Sequence, residues 1–407
     1  MPLKIVVAPA SFKGSLTPVA AAEAVTRGLK RVLPSAEVAA VPVADGGEGT
    51  VEVLRLALGG RTRAALVTGP LGSETVSAAW AVLDGGRTAV IEMAAASGLP
   101  LVPPQRRDPM VTTTAGTGEL IREALEAGCR HILVGLGGSA TVDGGLGAMR
   151  ALGAALLDAE GRPVPPGGRG LLELARVDVS GLDPRLARVK VTALCDVDNP
   201  LLGPDGAARV FGPQKGADES AVDLLERGLE NLVQVVRRDL GLGWNLGSLP
   251  GGGAAGGLGA ALAAFLGAEL VSGIDFVMRA TGLPERIAWS DLVVTGEGQL
   301  DGQSRRGKAC AGVAREARRA GRPVVVLTGS VRGEDEAVAV LGLDAVLPVV
   351  PGPMSLVQAM DGAAVHVEAA AARLARLLVV GSRLGPAGGP GRGPGGGPGG
   401  GPGPGPF

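Results

Sequence analysis

The 407-residue chain predicts an α/β protein built on a doubly wound parallel sheet, with a second α/β domain inserted into it. Three observations lead there. Short apolar runs alternate with amphipathic helical stretches at both ends of the chain, the grammar of βα units. The runs are continuous rather than alternating, so those strands are buried on both faces, as in a parallel sheet covered by helices. Several runs stop at loops rich in glycine, carboxylate and hydroxyl, and ligands on such sheets bind at the carboxyl ends of strands.

The first run, LKIVVAPA (3–10), reads as a strand. TPVAAAEAVTRGLKRVLP (17–34) reads as a helix, with Thr17 as cap, Pro18 at its first position, Ala22, Val25, Leu29 and Val32 on one face, and Pro34 as its end. EVAAVPVA (37–44) is a second strand running into ADGGEGT (44–50), and Val51, Leu54 and Leu58 mark a second helix before Gly59-Gly60. The C-terminal part repeats this order: DLVVTGEG (291–298), a helix through GKACAGVAREARRA (307–320), PVVVLTGS (323–330), DAVLPVV (344–350) and a long helix from about Leu356 to Val380. Between them AVIEMAAAS, HILVGLGG and KVTALCDV are strand-like, and GELIREALEAG is helical. The expected division is a Rossmann-like domain of residues 1–60 plus 289–380, an inserted α/β domain of 61–288, and a Gly/Pro tail of 381–407 that cannot bury apolar surface and is expected to be disordered.

Composition narrows the function. Lys plus Arg number 39 against 40 Asp plus Glu, and aromatics make up 2%, so neither a global field nor stacking platforms favour nucleic acid or an anionic membrane. No apolar run is long enough to span a bilayer, and the N-terminus lacks an export signal, so a cytoplasmic protein is expected. Cys129, Cys195 and Cys310 are scattered and indicate neither a zinc site nor a disulfide framework. His131 and His366 lie in apolar segments with no nucleophile motif, and neither a P-loop nor the protein-kinase signatures occur. Lysine is scarce, which singles out Lys13, Lys215 and Lys308, each near glycine, as places where a compact ammonium is wanted.

What remains is a set of loops: SFKGS (11–15), ADGGEGT (44–50), TTTAGTGE (112–119), GLGGSATVDGG (135–145), CDVDNP (195–200), GPQKGA (212–217) and TGEGQLDGQS (295–304). Each alone could be a turn or a helix start. Together they supply what phosphoryl transfer needs: backbone donors and Lys for phosphate oxygens, carboxylates for Mg²⁺, and a carboxylate for the attacking hydroxyl.

Collinear stretches from Lys4 to about Val380 also resemble the bacterial glycerate kinases related to glycerate 2-kinase. They are APASFKGSL, ADGGEGT, IEMAAASGL, TTTAGTGELI, GGSATVDGG, CDVDNPLLGPDGAARVFGPQKGA and TGEGQLDGQSRRGKA. The resemblance implies ATP- and Mg²⁺-dependent phosphorylation of D-glycerate, on the 2-hydroxyl, in a cleft between two α/β domains. Two positions depart from it: Ala10 stands where the family usually has Asp, and Val142 where it usually has Asn. A kinase for another small hydroxy acid, or a non-catalytic carboxylate-binding relative, are the competing readings.

The roles expected follow from residue type. Lys13 and Ser11 suit an anion, the glycerate carboxylate or the γ-phosphate. Asp45, Glu297 and Asp301, with Lys13, are the catalytic candidates, one acid serving as base toward the glycerate hydroxyl. Glu48, Asp196, Glu297 and Asp301 are candidate Mg²⁺ ligands, with Asp198 in reserve, and Asp196 and Asn199 are candidate substrate contacts. Gly137, Gly138, Ser139 and Thr141 are read as a phosphate cradle, whose competing reading is a tight turn capping a helix. Lys215 and Lys308 would neutralise phosphate charge. The expected partner is the small-molecule substrate, with a homodimer left open.

Overall fold

The computed structural model describes residues 2–300, 309–331 and 334–384. Asp301, Lys308 and the Gly/Pro tail beyond residue 384 therefore lie outside the described residues. The chain opens with β1 (Lys4–Pro9) and β2 (Glu37–Ala40), joined by the Pro18–Val32 helix. It then runs through β3 (Gly60–Thr68), β4 (Thr75–Leu83), β5 (Thr88–Glu92), β6 (His131–Gly135), a small β7–β8 ribbon (Ala155–Leu157 and Arg176–Asp178), β9 (Lys190–Leu194) and β10 (Glu269–Val271). It returns with β11 (Leu292–Leu300), β12 (Val324–Val331) and β13 (Ala345–Pro348).

The first sheet has the order β13-β12-β11-β1-β2 and is parallel throughout. Its strands are apolar on both sides, and each side has its own core. Ile5 and Val7 face the Pro18–Val32 and Ala363–Leu384 helices, with Leu29, Val367 and Leu374. Val6 and Ala8 face Ile274, Met278, Ile287 and Val313, carried by the Gly273–Ala280, Leu283–Trp289 and Ala309–Arg319 helices. This is the doubly wound arrangement expected from the continuous apolar runs.

The second sheet has the order β10-β9-β6-β5-β4-β3, with β5, β6, β9 and β10 parallel and β3 and β4 antiparallel at one edge. One face buries Trp80, Ile91, Ile132 and Val134 beneath the Ala115–Glu126 and Leu258–Leu266 helices, with the Glu219–Leu240 helix in the same core. The other face meets Ala44, Leu54 and Val277.

Local signals were mostly obeyed. Thr17 caps its helix by accepting a hydrogen bond from the Ala20 N–H, with Pro18 at the first helical position. The single helix expected from Leu356 is instead two, Leu356–Asp361 and Ala363–Leu384, with Gly362 between them. Ser355 and Gln358 form a capping box on the short first piece. Among the described residues no helix is long and apolar enough to cross a membrane.

Candidate active site

Residues 43–47 lie where the carboxyl ends of both sheets converge. On the first sheet, the Val43 N–H donates to the Pro9 carbonyl at 3.0 Å and the Ala10 N–H to the Gly296 carbonyl at 2.8 Å, which places the 43–47 segment beside the ends of β1 and β11. On the second, the Gly137 N–H donates to the Gly46 carbonyl at 3.0 Å. Gly46 has φ +89°, and a Cβ there would stand 2.4 Å from the Leu194 carbonyl oxygen at the end of β9, so only glycine fits between the strands. The chain passes between the sheets a second time near Gly273, where a Cβ would sit 2.3 Å from the Asp45 carbonyl oxygen. Both crossings therefore meet at Asp45.

Asp45 is partly buried and accepts the Gly47 N–H at 3.2 Å through Oδ1. Its neighbour Asp196, just past β9, is committed elsewhere. Ser272 Oγ donates to Oδ1 and the Ile274 N–H to Oδ2, both at 2.9 Å, so Asp196 caps the Gly273–Ala280 helix. Burial first, and then the Asp45 carboxylate, push the Asp196 pKa up to about 8, against the opposing pull of those hydrogen bonds. With both oxygens engaged, Asp196 is a less available metal or substrate ligand than its position in CDVDNP suggests. Asn199 is also buried and engaged: its side chain donates through Nδ2 to the Asp205 carbonyl at 2.8 Å, and its main-chain carbonyl accepts the Gly253 N–H.

The first-sheet side is more open. Lys13 and Glu48 are exposed and Ser11 is partly so. Glu297, near the end of β11, is 9% exposed. Gly298 packs against the 12–13 loop, a Cβ there standing 3.4 Å from the Lys13 nitrogen, so the Lys13 and Glu297 loops are adjacent. Glu297 also acts on the Cys310 thiol, whose pKa is raised by burial and by that carboxylate. Ala10 is 9% exposed and belongs to the apolar cluster of Val6, Val43 and Ile274. Val142 is fully buried in the second sheet's core.

The 137–145 loop is held from within. Asp143, fully buried, accepts the Thr114 N–H and hydroxyl (2.8 and 2.9 Å) and the Gly145 and Gly147 N–H groups (3.0 and 3.2 Å). Lys215 donates through Nζ to Ser139 Oγ and to the Thr141 carbonyl, each at 2.7 Å. The ammonium is only 2% exposed, and burial pushes its pKa down to about 7, with Asp143 acting in the opposite direction. The structure thus joins Lys215 to Ser139 and Thr141, which the sequence set in separate motifs.

Glu92 was missed by sequence reasoning. At the end of β5 it accepts the Val51 N–H at 2.8 Å, tying the Thr50–Leu58 helix, and with it the 44–50 loop, to the second sheet. Burial, with Glu48 and Glu52 adding to it, raises its pKa to about 7. The available signal was a lone carboxylate closing the apolar run AVIE. Asp143 was quoted within its motif but given no role, and its four donors make it the anchor of that loop. Among the described residues no group of three or more His, Cys, Asp or Glu side chains could hold a metal ion. The three cysteines are free.

The family model for the glycerate kinase family matches residues 5–379. The chain is 48% identical over 381 residues to the glycerate 2-kinase of Escherichia coli (strain K12), covering 94% of this chain and 99% of that protein. It is 48% identical over 373 residues to the glycerate kinase of Bacillus subtilis (strain 168), covering 92% and 97%. Among solved structures it is similar to a crystal structure assigned as glycerate kinase 2 from Salmonella typhimurium LT2, with TM-score 0.79 and 46% identity over 94% of this chain and 100% of that one.

Proposed function

This chain belongs to the glycerate kinase family, and from that premise we propose that it transfers the γ-phosphoryl group of ATP to the 2-hydroxyl of D-glycerate, giving 2-phosphoglycerate and ADP. The observation that carries the site assignment is the convergence of both sheets' carboxyl ends on Asp45, where glycines let the two crossing segments pack backbone to backbone. Asp45 is partly exposed and near the end of β1, and it is our choice for the group that accepts the hydroxyl proton. Lys13 and Ser11 suit the glycerate carboxylate.

The 137–141 loop and Lys215 suit the nucleotide phosphates, with Lys308 assigned there from its motif alone. Mg²⁺ supplies charge neutralisation between the phosphates when bound. Mg²⁺ is usually held by one or two carboxylates together with waters and phosphate oxygens, which the exposed Glu48 carboxylate suits. Glu48, Glu297 and Asp301 are the proposed carboxylates, and Asp196 supports the fold of the site rather than the ion. The boundary expected at 288 is proposed instead near 271, because Ile274, Met278 and Ile287 pack on the first sheet: residues 60–271, which carry the second sheet, and residues 2–59 with the described residues of 272–384, which carry the first, are the two proposed domains flanking the cleft. We place the protein in the cytoplasm.

The test is ADP release, coupled to an indicator enzyme, with D-glycerate, ATP and Mg²⁺, and phosphorus NMR of the product. Turnover that yields 2-phosphoglycerate is expected. Turnover with other small hydroxy acids but not with D-glycerate would overturn the substrate assignment.

A further inference from the structure

The Lys215 ammonium is an unusual group to bury. It is 2% exposed, and among the described residues no carboxylate forms an ion pair with it. The nearby acid, Asp143, has its oxygens engaged by Thr114, Gly145 and Gly147. A buried cation without a paired anion is costly, and such groups recur where a ligand supplies the missing charge.

The hydrogen bonds show how that charge could be delivered. A serine hydroxyl has one proton to donate and two lone pairs. Ser139 Oγ already accepts from Lys215, and among the described residues no acceptor takes its proton. Ser139 is 8% exposed, in the loop whose Gly137 touches Gly46 beside Asp45. Two residues on, the Thr141 hydroxyl is fully buried and has no hydrogen-bond partner among the described residues. Next to Lys215 in the chain, Gly216 packs against the backbone of Arg107, whose buried Nε also has no partner among the described residues.

We propose that Lys215 is a positioning residue that acts through Ser139: by donating to Oγ it leaves the hydroxyl proton for a phosphate oxygen of the nucleotide, and it gains a countercharge when that oxygen arrives. This rests on the reading of residues 137–141 as the phosphate-binding loop. A hydrogen bond donated to an anion by a hydroxyl that itself accepts from a cation is strengthened by that polarisation. The anion in turn favours the charged form of the lysine, so binding is linked to proton uptake above neutral pH. Asp143 and Arg107 are the other ionisable groups around Lys215. Both are common to the wild type and the variants, so their difference isolates the lysine.

The experiment is calorimetric titration of the full-length protein with Mg-ADP at pH 8, in two buffers of different ionisation enthalpy. Wild type should take up as much as about one proton on binding. Lys215→Met should abolish that uptake and weaken binding roughly tenfold to a hundredfold, the range for hydrogen bonds to charged groups. Ser139→Ala should weaken it by a similar factor, and the double variant by no more than either single, because one residue acts through the other. Proton uptake that persists in Lys215→Met, or losses that multiply in the double variant, would overturn the relay. If Lys215→Met does not fold, Ser139→Ala decides: unchanged affinity and uptake there overturns it. Should wild type bind Mg-ADP while these variants behave like it, the relay fails and the kinase reading stands. Should wild type neither bind Mg-ADP nor phosphorylate D-glycerate, both fail.

Discussion

The two walls of the candidate cleft are built differently. On the first-sheet side Lys13 and Glu48 are exposed and Ser11 is half-open. On the second-sheet side Asp143, Lys215 and Asn199 are buried, and they and Asp196 already have hydrogen-bond partners. Open polar groups keep their hydration until a ligand replaces it, and cost the fold little. A closed network orients its donors before the ligand arrives, and it puts ionisable groups where solvent cannot stabilise their charge. The comparison assigns chemistry mainly to the open wall and pre-organisation mainly to the closed one.

The largest expected effect tests the open side. Replacing Asp45 by Ala should lower kcat by at least ~10²-fold, since positioning and electrostatics supply most of the barrier reduction in phosphoryl transfer. The melting temperature should scarcely move, because the one hydrogen bond lost is the local one from Gly47. Steady-state kinetics and thermal melting on the same preparation check both halves. Wild-type turnover would remove Asp45 from the mechanism, and a collapsed fold would place it with the closed wall instead.

The closed side predicts the reverse pattern. The Asp196 pKa, raised from 3.8 to about 8 by burial and by Asp45, means that the folded state holds a proton the unfolded chain has released. Stability on this account is greatest below about pH 4, falls as pH rises toward 8, and is level above it. Asp196→Asn keeps an acceptor for Ser272 or Ile274 but removes the titration. It should flatten that decline, gaining ~3 kcal/mol on the variant's side between pH 5 and 9 after a discount for partial exposure. Urea unfolding across this range reads it, and parallel pH curves for wild type and variant would refute it.

Much of the fold was legible because its causes are local. Continuous apolar runs named the strands of the first sheet, and Thr17-Pro18 named a helix start, since period and capping act within a few residues. The site was legible as motifs but not as an arrangement. Lys215 reaches Ser139 across 76 residues and Asp196 caps a helix that starts 77 residues on, and no spacing rule reports such partners. Within CDVDNP the sequence could not rank its acids: Asp196 is engaged while Asp198 is exposed. The same limit affected Ala10. A missing carboxylate was visible, but its place among Val6, Val43 and Ile274 required the packed sheet.

Glu92 joins the two walls and gives the smallest effect on turnover. Its carboxylate, on the second sheet, accepts the Val51 N–H from the helix that follows the Asp45 loop. Burial raises its pKa from 4.5 to about 7. The folded state therefore binds a proton between those values that the unfolded chain has lost, and this contribution to stability declines from about pH 4.5 to pH 7. Above pH 7 the group is charged in both states and the penalty is constant. That rise in pKa is what remains after the Val51 hydrogen bond has favoured the charged form, as an acceptor at a helix N-terminus does. Glu92→Gln retains an acceptor without the charge, and should match wild type near pH 4.5 and exceed it by up to ~3 kcal/mol at pH 8. If the glutamate also holds the Asp45 loop in place, kcat at pH 8 should stay within about twofold in Glu92→Gln but fall further in Glu92→Ala, which leaves the Val51 N–H without a partner. Equal activity in the two variants would show that the 44–50 loop is held by its contacts with Leu194 and Gly137 alone, and that the tie between the walls does not pass through this side chain.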